Sequence, residues 1–204
     1  MGHVLYVVVC GAGNAASSSG FVKEMINSGW DVCVIASPAA LAFIDAEDLA
    51  EISGHPVRSK FKDPDAPDLL PPPDVIVVAP ATFNTVNKLA NGISDTLATA
   101  ILCEALGKKA PMIMAPWMNC ALANHSAYTR SIRTLQGDGV RFVLTEQTMP
   151  GAVRDNPDEG FPWATVSEAV RKLQHLDSAS EDLSNALDAP QTDVDANDGP
   201  RPTA

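Results

Sequence analysis

Short runs of apolar, largely β-branched residues recur along the chain, and polar turns follow them. The runs do not alternate with polar residues, which is typical of strands covered on both faces of a parallel sheet. Proline after such a run indicates its end, because proline offers no N–H to a neighbouring strand. The pattern predicts five strands at Val4–Cys10, Asp31–Ala36, Val75–Ala79, Lys108–Ala115 and Val140–Leu144.

Helical segments fill the intervals between these runs. Strands and helices that alternate at this spacing predict an α/β fold with a Rossmann-like, doubly wound parallel sheet in a single domain. The segment from His55 to Pro73 is rich in proline and charge, and we expect it to wrap the surface. Predicted helices lie at Ala15–Asn27, from Ser37 towards Phe43, at Asp45–Ser53, after Asn84, from Asn119 to about Gly137, and at Thr165–Leu176.

The third strand leads into the most informative loop of the sequence. Pro80 ends the predicted strand, and Thr82, Asn84 and Thr85 follow it at the start of a helix. Ligands of open α/β sheets bind outside the carboxyl ends of the strands, and a helix N-terminus there offers free N–H groups. The three polar side chains either cap this helix or contact a ligand.

Two further strand ends carry the same kind of signal. The turn Gly11–Asn14 follows the first strand and is a candidate phosphate loop, although it lacks the third glycine and the later acidic residue of the dinucleotide fingerprint. Ser37 follows the second strand. Its hydroxyl either caps the next helix or binds phosphate.

Composition favours one enzyme-sized domain followed by a tail. The 204 residues are 46% hydrophobic and 19% charged, and the formal net charge is −11. We assign the domain to residues 1–176 and expect the acidic tail, 177–204, to be disordered, because it cannot bury enough apolar surface to offset its ordering entropy; an interaction role for it remains an alternative. The acidic balance argues against a nucleic-acid partner.

Other classes are disfavoured by what the sequence does not contain. Apolar runs are too short to cross a bilayer and no signal segment is visible, so we expect a cytoplasmic protein without a membrane partner. The four cysteines have no paired spacing, so neither disulfides nor a metal site is predicted. Cys120 is the one cysteine whose position, directly after Asn119, suggests reactivity, against the simpler reading of a buried thiol.

Three motifs resemble the flavin-binding cysteine decarboxylases. This family contains phosphopantothenoylcysteine decarboxylases and enzymes that oxidatively decarboxylate C-terminal cysteines of peptides. The resemblance covers about residues 4–145. It rests on Pro80-Ala81-Thr82-Phe83-Asn84-Thr85, on Ala90-Asn91-Gly92-Ile93-Ser94-Asp95 and on Pro116-Trp117-Met118-Asn119. The chain departs from the family pattern at Asn14, where a serine is usual, at Phe83 and Thr96, and at Leu122-Ala123, where Met-Trp is usual.

The resemblance implies FMN as the cofactor. Asn84 matches a family residue beside the flavin, and Asn119 matches the asparagine that binds the substrate carboxylate. Their alternatives are a helix cap and an amide that braces the loop. The flavin-binding positions implied are Ala12, Gly13, Asn14, Ser37, Ala39, Pro80, Thr82, Phe83, Asn84, Thr85 and Met118.

In the family's reaction the substrate thiol loses its proton, FMN takes a hydride from the carbon that bears sulfur, and the resulting thioaldehyde loses carbon dioxide. The family's histidine base is absent here, since its position falls in the segment 63–68. Asp65, Asp68 and His55 are the candidate substitutes. The segment from Pro150 to Gly160 also lacks the cysteine of the branch that makes pantetheine phosphate, which favours the peptide-modifying branch.

Three hypotheses remain at this point. The chain is an FMN-dependent decarboxylase of a substrate ending in cysteine, a flavin-binding partner or regulatory subunit without that activity, or a flavin prenyltransferase. Asn119 and its motif disfavour the third. The resemblance also implies a homo-oligomer, a trimer or a multiple of trimers, with a mixed oligomer as the alternative.

Overall fold

The structure, a computed structural model, describes residues 3–63, 65, 67, 70–153, 155 and 160–174. Within them a sheet of five strands forms, and every neighbouring pair in it is parallel. The spatial order is β2-β1-β3-β4-β5. The strands are β1 (Val4–Val9), β2 (Asp31–Ala36), β3 (Val75–Ala81), β4 (Met112–Pro116) and β5 (Arg141–Phe142).

Helices cover both faces of this sheet, so the prediction of a Rossmann-like, doubly wound parallel sheet is confirmed. The chain crosses from β1 outward to β2 and then back to β3 on the other side of β1. This reversal is the point at which ligands bind in such folds. The helices are α1 (Ser18–Asn27), α2 (Ala46–Ser53), α3 (Phe83–Ala90), α4 (Leu97–Gly107), α5 (Cys120–Ala123), α6 (Ser126–Gly137) and α7 over 163–174.

The core lies on the two faces of the central strands, β1 and β3, whose residues are all buried. Alternate side chains point to opposite faces of a strand. Tyr6 and Val8 of β1 therefore join one apolar cluster with Leu102 of α4 and Tyr128 of α6. On the other face, α1 and α2 contact each other and β2. Burial on both faces explains why these strands read as continuous apolar runs.

The predicted end of the third strand at Pro80 is wrong. β3 continues through Pro80 to Ala81, with a cis peptide bond between Ala79 and Pro80. The pairing of β3 with β4 shifts register between Val78 and Ala81, so the missing N–H of Pro80 falls where the ladder is irregular. Its carbonyl still accepts a hydrogen bond from the Cys10 N–H at 3.1 Å.

Other boundaries also differ from the predictions. The helix predicted from Ala15 begins as a 3-10 turn, Gly13–Ser17, and becomes α-helical at Ser18. The segment from Ser37 towards Phe43 is likewise a 3-10 helix, Pro38–Ala42.

The second half of the domain differs in the same way. β4 begins at Met112 rather than Lys108, because α4 runs to Gly107 and Lys109 takes a left-handed turn conformation with φ 57°. β5 has two residues instead of the five predicted. The single helix predicted after Asn119 is two helices, and His125 caps the second by accepting a hydrogen bond from the Ala127 N–H.

The sheet, helices α1 to α6 and the first nine residues of α7 belong to one compact unit, Met1–Arg171. The second unit, Lys172–Ala204, lies almost wholly beyond the described residues, and so does the predicted tail at 177–204. Among the described residues, no helix combines the length and apolar character needed to cross a bilayer.

Candidate functional site

A cavity of about 930 Å³ opens at the carboxyl ends of the strands. Its volume lies in the range of sites that hold a cofactor or a drug-sized ligand. All the predicted flavin-binding positions line it except Pro80, which is buried in β3. The lining residues are Gly11, Ala12, Gly13, Asn14, Ser37, Pro38, Ala39, Thr82, Phe83, Asn84, Thr85, Lys88, Thr96, Ala98, Thr99, Trp117, Met118, Asn119, Leu122, Gln147 and Asp155.

At the cavity, the backbone after β1 packs closely against the backbone after β2. A Cβ atom at Gly11 would lie 2.9 Å from the carbonyl carbon and the Cβ of Ala39. Glycine at this position therefore allows the turn after β1 to pack against the 3-10 helix after β2. A Cβ at Gly13 would meet nothing within 4 Å, so this turn leaves open space on one side.

Ser37 is a ligand candidate rather than a cap. Its backbone N–H donates to the Val9 carbonyl at 2.9 Å, which fixes the residue at the strand end. Its side chain makes no capping hydrogen bond with the 3-10 helix that follows. In the described part of the chain, the side chains of Asn14 and Asn84 also make no hydrogen bond. Three polar groups with unused hydrogen-bonding capacity thus line one cavity.

Thr82 is the N-cap of α3, so for this residue the capping interpretation holds. Its Oγ1 accepts a hydrogen bond from the Thr85 N–H at 3.3 Å and lies 3.0 Å from Thr85 Oγ1. The Thr85 hydroxyl donates to Cys10 Sγ at 3.2 Å. Burial raises the pKa of the Cys10 thiol, so this sulfur is a neutral hydrogen-bond acceptor beneath Thr85.

Phe83, which stands where the family pattern has a small residue, lines the cavity. Its ring packs towards α6, with its centroid 5.6 Å from that of His125 and 6.3 Å from that of Tyr128. The residue is half-buried and forms part of an apolar wall together with the buried Met118.

Among the described residues that line the cavity, Lys88 is the only lysine or arginine. Its Nζ lies 2.5 Å from Asp95 Oδ2, so the charge is already paired. The hydrogen bond from Lys88 lowers the pKa of Asp95 below its ordinary value. Thr96 and Thr99 form a reciprocal capping box that begins α4 beside this pair.

Asn119 has two roles available to its amide. Its Oδ1 caps α5 by accepting a hydrogen bond from the Leu122 N–H at 3.0 Å, so this oxygen has a structural role at the start of the helix. Its Nδ2 group makes no hydrogen bond within the described residues and remains a donor on the cavity wall. Gln147, which is buried, holds the neighbouring Met118 carbonyl at 2.7 Å.

Sequence reasoning did not assign site roles to Asp155, Gln147 or Trp117. Asp155 Oδ1 accepts a hydrogen bond from the Cys120 N–H at 2.6 Å, which brings a carboxylate beside Asn119. The Trp117 ring contacts Phe161, with centroids 5.7 Å apart. Trp117 could have been found from the motif that contains it. Asp155 and Gln147 come from a later segment with no periodic signal.

The two described substitutes for the absent histidine, His55 and Asp65, do not line this cavity. His55 Nε2 lies 2.6 Å from Asp31 Oδ1, at the amino end of β2 and so at the opposite edge of the sheet. Asp65 lies in an exposed turn. Asp68 is outside the described residues.

The fold and the cavity define an α/β protein with a cofactor-sized site at the switch point of a parallel sheet. The family model described as Flavoprotein matches residues 2–174. The chain therefore belongs to the Flavoprotein family.

Known proteins with similar sequences and structures include decarboxylases. The Bacillus subtilis coenzyme A biosynthesis bifunctional protein CoaBC is 34% identical over 148 residues, which are 67% of this chain and 35% of that protein. The chain thus spans about a third of the length of this relative.

Among solved structures, the FMN-dependent cysteine decarboxylase SpaF aligns with a TM-score of 0.63 and 26% identity, over 69% of this chain and 83% of SpaF. The epidermin biosynthesis protein EpiD from Staphylococcus aureus aligns with a TM-score of 0.61 and 31% identity, over 69% of this chain and 82% of EpiD.

Proposed function

We propose that this protein binds FMN in the cavity and oxidatively decarboxylates a C-terminal cysteine of a peptide or of a cysteine-derived amide. The observation that carries this proposal is the convergence of three hydrogen-bonding side chains, Asn14, Ser37 and Asn84, with the free amide donor of Asn119 on one cavity. The similarity to SpaF, an FMN-dependent cysteine decarboxylase, supports the choice of reaction.

The residues present suit a flavin mononucleotide. Ser37 and the turn around Gly13 offer a hydroxyl and backbone N–H groups for a phosphate, and the small side chains Ala12 and Ala39 leave room for it. The half-buried Phe83 and the buried Met118 give an apolar wall for a ring system. Asn84 is placed to hydrogen-bond a polar ring edge or the substrate.

When bound, FMN supplies a hydride acceptor for the carbon that bears the substrate sulfur. The protein binds and orients the substrate: Asn119 Nδ2 donates to the terminal carboxylate until it leaves as carbon dioxide. The thiol proton needs an acceptor, and Asp155 is the described lining residue able to take it. Asp155 Oδ1 is occupied by the Cys120 N–H, so Oδ2 is the receiving atom.

The first experiment is the visible spectrum of the purified protein, followed by anaerobic mixing with a peptide that ends in cysteine. We expect a yellow protein whose flavin absorbance bleaches, with a product lighter by carbon dioxide and two hydrogens. The matched control is the same peptide ending in serine, which cannot form a thioaldehyde and should cause no bleaching. Colourless protein that cannot take up FMN would contradict the cofactor assignment.

Asp155→Asn tests the proton acceptor in the same assay. An amide keeps the shape of the side chain but cannot accept the thiol proton, so the bleaching rate should fall by about 100-fold or more. FMN affinity should stay unchanged. An Asp155→Asn protein that bleaches at the rate of the unchanged protein would exclude Asp155 as the base.

A second candidate function is a flavin-binding subunit without decarboxylase activity of its own. It is favoured by one observation: within the described residues, no histidine lines the cavity. Yellow protein that never bleaches with any cysteine peptide would support it. Activity that appears only after a histidine-bearing family member is added would support it further.

A further inference from the structure

Three metal-ligating side chains meet at the amino end of β2. Asp31 is the first residue of β2 and Cys33 is two residues later, so both side chains point to the same face of the strand. His55 follows Gly54, the residue with φ 73° that ends α2. The three residues come from two elements that only the folded chain brings together.

The ligand atoms of these side chains are close enough to share one ion. The carboxylate oxygen, the thiol sulfur and an imidazole nitrogen all lie within 4.8 Å of one another. His55 Nε2 and Asp31 Oδ1 are 2.6 Å apart. In a tetrahedral zinc site, ligand atoms lie about 3.3–3.8 Å apart, as follows from metal–ligand bonds of about 2.0–2.3 Å. The histidine and carboxylate therefore need to separate by less than about 1 Å.

The surroundings give the cluster one closed side and one open side. Cys33 is fully buried in the apolar cluster that also contains Leu102 of α4 and Tyr128 of α6. The side chains of His55 and Asp31 are 24% and 42% exposed. An ion held here would be reached from solvent through the carboxylate and imidazole, and a water molecule could complete its coordination on that side.

We propose that Asp31, Cys33 and His55 bind a thiophilic divalent cation of the Zn²⁺ type. One thiolate, one imidazole and one carboxylate are ligands that Zn²⁺ prefers, whereas Mg²⁺ and Ca²⁺ prefer oxygen alone. On binding, the Cys33 S–H bond breaks, its proton leaves to solvent, and the sulfur bonds to the metal. The ion would fasten the turn after α2 to the edge of the sheet.

The simpler interpretation is a hydrogen bond between His55 and Asp31 beside a buried thiol. His55 and Asp31 already join the turn to β2, and burial together with the charge of Asp31 raises the pKa of Cys33 to about 12. A metal must therefore displace a firmly held proton. The two interpretations differ in one measurable respect, a direct bond between sulfur and metal.

Cobalt(II) titration of the metal-free protein, prepared without a polyhistidine tag, tests that bond. We expect saturable uptake of one Co²⁺ per chain, with near-ultraviolet thiolate charge-transfer absorption and visible bands of a tetrahedral ion. Added Zn²⁺ should displace the Co²⁺ and abolish both. Absence of saturable uptake, or uptake without the thiolate absorption, would overturn the proposal.

Variants identify the ligands. Cys33→Ser should abolish the thiolate absorption, and His55→Gln should weaken Co²⁺ binding by at least about 10-fold. Cys103→Ser is the matched control, because Cys103 is a free cysteine in α4 and is not one of the three proposed metal ligands. His55 lies in a surface turn with its side chain 24% exposed, so it can be changed without opening the core. His55→Gln alone therefore decides the outcome if Cys33→Ser does not fold. Unchanged affinity in His55→Gln, or lost absorption in Cys103→Ser, would contradict the assignment.

The site is separate from the flavin cavity, because Asp31 begins β2 whereas Ser37 follows its carboxyl end. FMN content measured in the same samples should be equal in the His55→Gln and unchanged proteins. The metal proposal can therefore fail while FMN binding holds, and the reverse is also possible.

Discussion

Ser37 has a hydroxyl on the cavity wall that caps no helix, although serine in this position usually would. If it binds the FMN phosphate, Ser37→Ala removes a hydrogen bond to a charged group, worth about 1.5–3 kcal/mol. The Kd for FMN, measured by quenching of flavin fluorescence, should rise about 10-fold to 100-fold. Ser28→Ala is the control, because the Ser28 hydroxyl donates to the Glu24 carbonyl away from the cavity. Equal affinities in the two variants would mean that Ser37 does not contact the phosphate.

Gly11 and Gly13 lie in the same turn at the cavity, but only at Gly11 would an added methyl group meet neighbouring backbone atoms. Gly11→Ala places a methyl group 2.9 Å from the backbone of Ala39, which cannot move as a flexible side chain would. We expect a loss of about 1–3 kcal/mol in the free energy of unfolding. Gly13→Ala meets nothing within 4 Å and should change it by less than about 1 kcal/mol. Urea unfolding measures both, and equal losses would contradict the close packing.

Asp95 makes the free energy of unfolding depend on pH in a defined direction. The hydrogen bond from Lys88 lowers the pKa of Asp95 below its ordinary value, so the folded state favours the carboxylate. This contribution to stability is fully present above the unfolded pKa, about 3.9, and is lost as the pH falls through the folded pKa. Asp95→Asn should therefore lower the free energy of unfolding at pH 7, and the difference should shrink below about pH 4. In a Lys88→Met background the same substitution should have a much smaller effect at any pH.

For single residues, the sequence predicted which side chains directly after a strand line the cavity. Ser37, Thr82 and Asn84 share one cavity because the carboxyl ends of parallel strands share one edge. Asp155 and Gln147 reach it through tertiary contacts, the first with the Cys120 N–H and the second with the Met118 carbonyl. No local pattern marks such residues.

Among the elements, α4 has a defined start that can be tested. Thr96 and Thr99 satisfy each other's backbone N–H groups in a capping box. Thr96→Ala leaves the Thr99 N–H without its partner and should lower the free energy of unfolding by about 1 kcal/mol. Thr134→Ala, which removes an exposed hydroxyl bonded to the Arg130 carbonyl within α6, is the control. A loss in Thr134→Ala as large as that in Thr96→Ala would contradict the capping role.

Element type was predictable wherever a buried run or a helical period was long. Boundaries were not, because tertiary contacts set them. β3 extends past Pro80 since the adjacent register shift tolerates a residue without an N–H. β4 starts late because α4 continues to Gly107 and a turn at Lys109 follows. β5 keeps two residues because its pairing with β4 covers only Ile113 and Met114.

For the whole molecule, assembly remains a prediction that follows from family resemblance. A trimer should have three times the chain mass of 21.5 kDa in light scattering coupled to size exclusion. Because no histidine is found in the described cavity lining, the oligomeric state also bears on which chain supplies the base. A homotrimer that decarboxylates a cysteine peptide must use a base supplied by a copy of this chain, and the Asp155→Asn trimer then tests whether Asp155 is that base. A homotrimer that is yellow but inactive, and gains activity when it exchanges subunits with a histidine-bearing relative, would instead assign the base to the partner. A monomer that turns over the peptide would contradict the predicted assembly and place every required group within one chain.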